Sequence, residues 1–132
     1  WTGSSPVRLI LDRHGKVPRS HHVWDGSIPT IFIAAAAAAT EGLTETLQLD
    51  FGAAVLPQLM KELYRRQIQS VLVEGGACLL QQFIREGLWD EARVITGTAI
   101  LTEGLAAPLL TNAVRTDTLE LNGDRIDCYY PA

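Results

Sequence analysis

Ser70-Val71-Leu72-Val73-Glu74-Gly75-Gly76-Ala77-Cys78-Leu79 joins a continuous apolar run to two glycines and the start of a helical pattern. Ser70 to Glu74 carries no polar alternation until its terminal carboxylate. That is the pattern of a strand covered on both faces, typical of parallel sheets. Gly75-Gly76 turns the chain straight into a helix, whose core stripe is Leu79, Leu80, Phe83 and Ile84. Gly87 followed by Leu88 predicts a left-handed C-cap with its hydrophobic contact. Ala92 to Gly97 is the next strand, reached through that helix by a right-handed crossover.

Pro6 opens and Arg13-His14-Gly15 closes a strand over Val7-Arg8-Leu9-Ile10-Leu11-Asp12. Lys16 to Pro29, rich in Pro, His, Ser and Gly, predicts an exposed loop. Thr30-Ile31-Phe32-Ile33 is a second strand. Ala34 to Ala39 is a run of six alanines with no cap and no amphipathic face, too short to hold as a helix alone. These letters are either native alanines or stand for side chains of unassigned identity, and nothing is built on them. Thr44 to Phe51 alternates like a half-buried strand. Val55, Leu56, Leu59, Met60 and Leu63 recur at helical spacing and predict a helix from Ala54 to Gln67, with Pro57 in its first turn and Arg65-Arg66 in its last. Thr98 to Pro108 is a loop. Thr118 to Leu121, Asn122-Gly123 and Arg125 to Tyr130 predict an antiparallel hairpin. The whole is an α/β domain with a mixed sheet, and no internal repeat stands out.

The 132 residues fit one domain, and a chain of this size can bury a real core. A hydrophobic fraction of 47% with 20% charged residues excludes wholesale disorder. The net charge of -4 predicts no broad cationic field, so neither nucleic acid nor an anionic membrane is an expected partner. Cys78 and Cys128 make neither a disulfide framework nor a zinc cluster, which fits a reduced, cytoplasmic setting; one disulfide between them stays open. No apolar run is long enough for a membrane span, and the first residues lack the regions of a signal peptide. With Trp1 in place of an initiator Met, the chain is expected to be processed or cut from something longer.

At the start of the helix after Gly75-Gly76, free N–H groups and the positive end of the dipole favour an anion such as a phosphate. Glu74 ends the preceding run at the carboxyl edge of the sheet, where open α/β sheets place their sites. The blander reading is a tight turn beside a solvated carboxylate, since neither a P-loop nor a dinucleotide fingerprint is present. Arg13, just past the first strand, is a candidate for forking onto a phosphate, a cofactor 2′-phosphate in particular, or a plain surface arginine. His14, His21 and His22 read as loop histidines without metal-ligand spacing. Cys78 reads as a small packed residue and Trp89 as packing. No pair of carboxylates stands at an acid–base spacing, so no catalytic residue and no metal ligand is assigned.

Pro6 to Arg13 followed by Lys16-Val17-Pro18, together with Ser70 to Ala77 continuing through Phe83-Ile84-Arg85-Glu86-Gly87-Leu88-Trp89-Asp90-Glu91, resembles the C-terminal reductase domain of the bifunctional riboflavin-biosynthesis deaminase/reductase. Gly104-Leu105-Ala106-Ala107-Pro108 resembles a later loop of that family. The resemblance implies a dihydrofolate-reductase-like α/β fold, a mixed and mostly parallel sheet flanked by helices and ending in an antiparallel hairpin. It implies NADPH-dependent reduction of 5-amino-6-(5-phosphoribosylamino)uracil to the ribitylamino product, with hydride accepted at carbon 1 of the ring-opened sugar. It further implies that Glu74 contacts substrate, that the backbone of Gly76 to Gln82 (Gly76, Ala77, Cys78, Leu79, Leu80, Gln81, Gln82), entered through Gly75, wraps the NADPH pyrophosphate, and that Arg13 lies against the cofactor. A homodimer, and a deaminase domain in the full-length parent, go with the family. Residues 1–132 then correspond to the later part of a single reductase domain. The segment that bears the first strands, a lysine, an aspartate and substrate-gripping arginines is missing, and so is the deaminase. Trp1-Thr2-Gly3 resembles the segment after the aspartate-bearing loop, and the alanine run replaces a mixed loop. Alternatives are a nucleotide-binding module without turnover and a self-associating fragment with exposed strand edges.

Overall fold

The computed structural model describes residue 3 and residues 5–38 and 40–132, so Trp1, Thr2, Ser4 and the last letter of the alanine run, Ala39, lie outside it. The chain divides into two compact units, residues 1–69 and 70–132.

The first unit is a three-stranded parallel sheet of β1 (Arg8–Leu11), β2 (Thr30–Ala34) and β3 (Thr44–Gln48), in the order β1-β2-β3, followed by α1 (Val55–Arg65). All five residues of central β2 are buried. On one face Ile33 packs against Leu59 and Leu63 of α1, with Leu9, Leu47, Leu49, Phe51, Met60 and Ile68 around them. Full burial of such side chains stabilises by about 1.5–3 kcal/mol each. Phe32 points to the opposite face, where no α-helix of this unit lies among the described residues. There the loop between β1 and β2 folds back, and the Trp24 ring stacks on Phe32 with centroids 3.8 Å apart. Trp24 donates its indole N–H to the Val17 carbonyl, and the Arg19 guanidinium lies 3.9 Å over its ring. The expected exposed loop is therefore also the cover of the sheet. Of the alanine run, Ala34 ends β2 and residues 35–38 form an irregular turn.

Helix α1 is shorter than the periodicity predicts, and Pro57 sits in its first turn, where the N–H groups have no intrahelical partner. It ends in a Schellman arrangement: the Ile68 N–H donates to Leu63 O at 3.0 Å and the Gln67 N–H to Tyr64 O at 2.9 Å. Gln67 consequently holds φ +60°, a conformation that costs an L residue about 1 kcal/mol or more. Gln67→Gly is expected to raise unfolding stability by about 0.5–1 kcal/mol, read as a higher urea midpoint at unchanged slope. A lower midpoint would show that the Gln67 side chain itself supports the cap.

Glu62, in the last turn of α1, accepts hydrogen bonds from Arg65 at 2.9 Å and from Arg66 at 2.7 Å, and Arg66 also pairs with Glu45 of β3. The Arg65 bond first, then Arg66, pulls the Glu62 carboxyl down from 4.5 to about 2. Because the folded value is the lower one, this stabilisation is complete above pH 4.5 and disappears as pH falls toward 2. Glu62→Gln should cost on the order of 1 kcal/mol at neutral pH, as expected for partly exposed pairs. The difference between the two proteins should vanish near pH 2, and a difference that does not shrink between pH 4.5 and 2 would refute the pairing.

The second unit holds α2 (Ala77–Arg85), β4 (Ala92–Thr96), β5 (Ala113–Leu121) and β6 (Asp124–Pro131), the strands forming an antiparallel sheet in the order β4-β6-β5. The expected C-cap is present: Gly87 has φ +63°, and the Leu88 N–H donates to Phe83 O at 3.0 Å. Asn122 and Gly123, both at positive φ, form the expected hairpin turn, with Leu121 opposite Asp124. Ser70 to Glu74 departs from expectation. It is no strand, it has no ladder partner among the described residues, and Leu72 is 83% exposed. Apolar content favours pairing only when a neighbouring strand presents its edge, and β4, the next strand of this unit, pairs with β6 instead. The crossover expected between this run and β4 is therefore absent. Cys78 and Cys128 are free thiols.

Candidate functional site

In the first unit the carboxyl edge of the parallel sheet opens into a cleft of about 560 Å³. Arg13 lines it beyond β1, Ala35 beyond β2, and Gln48, Leu49, Asp50, Phe51 and Gly52 at and beyond β3. Gln58 of α1 completes the wall. The backbone under Arg13 is fixed on both sides. Asp12 N–H donates to Ile33 O at 2.9 Å, and Ala35 N–H donates to Arg13 O at 3.0 Å. The buried Asp12 carboxylate accepts the N–H groups of Lys16 at 2.8 Å and Val17 at 2.9 Å, which shapes the following turn. The Arg13 guanidinium lies 5.6 Å from the Phe51 ring centroid. Among the described residues no carboxylate forms an ion pair with it, so its charge is available to a ligand. Gln58 braces the far wall by accepting the Asp50 N–H and donating to Asp50 O and Ala54 O.

In the second unit Glu74 is exposed and directly precedes the two glycines at the start of α2. Gly76 is the N-cap, at φ -65° and ψ 167°, and no side chain caps this end. The N–H groups of Leu79 and Leu80 donate to Gly76 O at 3.0 and 3.2 Å. Those of Gly76, Ala77 and Cys78 have no acceptor among the described residues, and a helix start left this way is an anion site in waiting. A Cβ at Gly76 would meet nothing within 4 Å, whereas one at Gly75 would come within 2.5 Å of Leu79 Cδ2. Gly75 is thus required by packing and Gly76 leaves open space in front of the free donors.

Further along α2, Gln81 uses its side chain to clamp a loop, accepting the Leu109 N–H at 2.9 Å and donating to Leu109 O at 3.3 Å. Gln82 donates to Glu86. The free backbone donors are concentrated at residues 76–78, the first three of the seven residues of the expected binding segment. Phe51, Gln48, Asp50 and Gln58 are members of the cleft that sequence patterning does not mark, apart from Asp50-Phe51-Gly52, a turn-forming Asx pattern closed by the Gly52 N–H on the Asp50 carboxylate. Among the described residues no group of three or more His, Cys, Asp or Glu is arranged to hold a metal ion, and no helix is long and apolar enough to cross a membrane.

Residues 2–125 match the family described as the RibD C-terminal domain. A 2,5-diamino-6-ribosylamino-4(3H)-pyrimidinone 5′-phosphate reductase of Aquifex aeolicus is 36% identical over 103 residues, covering 70% of this chain and 45% of that protein. The riboflavin biosynthesis protein RibD of the same organism is 32% identical over 112 residues, 80% of this chain and 31% of its own length. The chain therefore spans less than half the length of either relative. Among solved structures, a deaminase/reductase of Thermotoga maritima superposes with a TM-score of 0.80 at 25% identity, over 99% of this chain and 39% of that one. The yeast riboflavin biosynthesis reductase Rib7 shares the fold, with a TM-score of 0.77 at 19% identity over 97% of this chain and 70% of its own. The mixed α/β architecture and the two resembling segments thus have one explanation: this chain belongs to the RibD C-terminal domain family.

Proposed function

We propose that the chain is the later part of one reductase domain, whose parent protein reduces 5-amino-6-(5-phosphoribosylamino)uracil to its ribitylamino product with NADPH. The observation that carries this reading is the uncapped start of α2, with three free N–H donors and open space at Gly76 directly behind Glu74. A dinucleotide fits these residues, because its pyrophosphate needs clustered backbone donors and no side chain in the way. When bound, the nicotinamide supplies a hydride to carbon 1 of the ring-opened sugar. The protein's part is binding and orientation. Residues 76–78 hold the pyrophosphate, with the turn of Leu79 to Gln82 behind them. Glu74 accepts hydrogen bonds from sugar hydroxyls of the substrate, and Arg13 in its cleft takes the 2′-phosphate that distinguishes NADPH from NADH. The parent carries a deaminase domain, acts as a homodimer, and works in the cytoplasm with both thiols reduced.

Tryptophan fluorescence of the chain titrated with NADPH and then NADH tests the binding, and turnover of the pyrimidine substrate by the full-length parent tests the reaction. Saturable binding that favours NADPH, with turnover in the parent, is the expected result. A parent that turns over another carbonyl substrate and ignores the phosphoribosylaminopyrimidine would overturn the reading.

A further inference from the structure

The cleft at the carboxyl edge of the parallel sheet is lined by one further charged side chain besides Arg13. Asp50 lies two residues beyond the end of β3, on the opposite side of β2 from Arg13, and it is exposed. Neighbouring strands stand about 4.8 Å apart, so the main chains that carry the two residues are separated by roughly 10 Å across the tip of β2. The ladder holds up to that tip, where the Leu49 N–H donates to Ala34 O at 3.0 Å. Neither residue belongs to an ion pair among the described residues, so two opposite charges line the cleft without cancelling each other.

Asp50 is held more firmly than an exposed loop residue needs to be. Its N–H donates to Gln58 Oε1 at 3.1 Å and its carbonyl accepts from Gln58 Nε2 at 2.9 Å, so one side chain of α1 grips it on both sides. Its Oδ1 accepts the Gly52 N–H at 2.8 Å, and its Oδ2 has no donor among the described residues. The turn accounts for Oδ1 alone and needs no charge, because an asparagine side chain closes the same turn. The charge and the second oxygen are left to a ligand.

In open α/β sheets an acidic side chain near the carboxyl end of a strand accepts from a cofactor's ribose 2′-hydroxyl, and an arginine nearby accommodates a 2′-phosphate. This cleft carries both groups. At about 560 Å³ it lies within the usual range for a small-ligand site, roughly 300–1,000 Å³. We propose that Asp50 is a specificity-determining residue for the nicotinamide cofactor. It accepts hydrogen bonds from the ribose hydroxyls of the adenosine half and opposes the 2′-phosphate that Arg13 attracts. This rests on the cofactor reading of Arg13 and adds its counterweight. NADPH sets a phosphate between an attracting guanidinium and a repelling carboxylate. NADH gives the carboxylate two hydroxyl donors and leaves the guanidinium idle. The protein therefore takes both nucleotides, with a preference for NADPH smaller than Arg13 alone would produce.

Calorimetric titration of the full-length parent with adenosine 2′,5′-bisphosphate and with adenosine 5′-monophosphate isolates this half of the site, since the two probes differ only in the 2′-phosphate. In Asp50→Asn the bisphosphate should bind about three- to tenfold more tightly, because one like charge is removed from a solvent-open cleft. The monophosphate should bind about threefold more weakly, because a hydrogen bond to a neutral amide replaces one to a carboxylate. NADPH should shift with the first probe and NADH with the second. The melting temperature should not move, because the amide oxygen still accepts the Gly52 N–H and Gln58 still holds the main chain. A merely structural Asp50 would give no split between the two probes. Should Asp50→Asn fail to fold, Asp50→Ser, whose hydroxyl closes a similar turn, decides in its place. Equal shifts for the two probes, or none, would overturn the role of Asp50 and leave the cofactor reading of Arg13 standing. A parent that binds neither probe, nor NADPH, nor NADH, would overturn that reading and this inference with it.

Discussion

Gly76→Asp is expected to abolish NADPH binding while leaving the fold as stable as before or slightly more so. The backbone at Gly76, φ -65° and ψ 167°, suits any residue, and a Cβ there meets nothing within 4 Å. Aspartate is also a better N-cap than glycine by a few tenths of a kcal/mol, and its charge faces the positive end of the helix dipole. The same carboxylate would occupy the free N–H of Cys78 and stand against the pyrophosphate. A fixed charge about 4–5 Å from a phosphate costs on the order of 3 kcal/mol at an effective dielectric near 20. That corresponds to roughly a hundredfold or more in Kd. Thermal melting and a fluorescence titration on the same sample separate the two effects. Loss of affinity together with loss of melting temperature would signal a folding defect, whereas unchanged affinity would show that no phosphate sits at this helix start. Gly75 is the useful contrast, since a side chain there collides with Leu79 and lowers stability for a reason unrelated to ligand.

What the sequence makes legible here is what local chemistry specifies. Gly87 with Leu88 and Asn122 with Gly123 are punctuation whose conformations follow from the residues themselves, and both appear as expected. Helix α2 and its bare N-terminus follow from spacing and from the absence of any capping side chain. Ser70 to Glu74 is the opposite case. Its apolar run expresses a demand for neighbours on both sides, and whether such neighbours are present is a property of the rest of the fold. The segment from Lys16 to Pro29 has the composition of a solvated loop, yet Trp24 leaves it to stack on Phe32, because a parallel sheet with a helix on one face leaves the other to be covered by whatever is near. The cleft at Arg13 was half legible. The arginine was visible from its place after a strand, but Phe51 and Gln58, far along the chain, become its walls only through the parallel register of β1 and β3 on β2.

The second large effect is expected at Arg13, where Arg13→Ala should collapse the preference for NADPH over NADH with little change in stability. Arg13 is exposed, and its one contact of note is the Phe51 ring, an arrangement worth about 0.5–1 kcal/mol at such a site. The main chain beneath it is held by Ile33, Ala35 and the buried Asp12 carboxylate, none of which depends on the guanidinium. Truncation therefore removes a charge from the cleft without loosening its walls. A guanidinium forking onto a phosphate contributes about 1.5–3 kcal/mol, so NADPH affinity should fall roughly 10- to 100-fold. NADH, which lacks the 2′-phosphate, should change by no more than about twofold on the same argument. Arg13→Lys should recover only part of the preference, because an ammonium offers a point charge in place of a planar fork. Ionic strength supplies an independent reading: raising salt should weaken NADPH binding to the wild type more steeply than to Arg13→Ala, since the cleft is open to solvent and its charge is screened. Equal losses for the two nucleotides would mean that Arg13 shapes the cleft without reading the phosphate, and no loss for either would remove it from the cofactor site altogether.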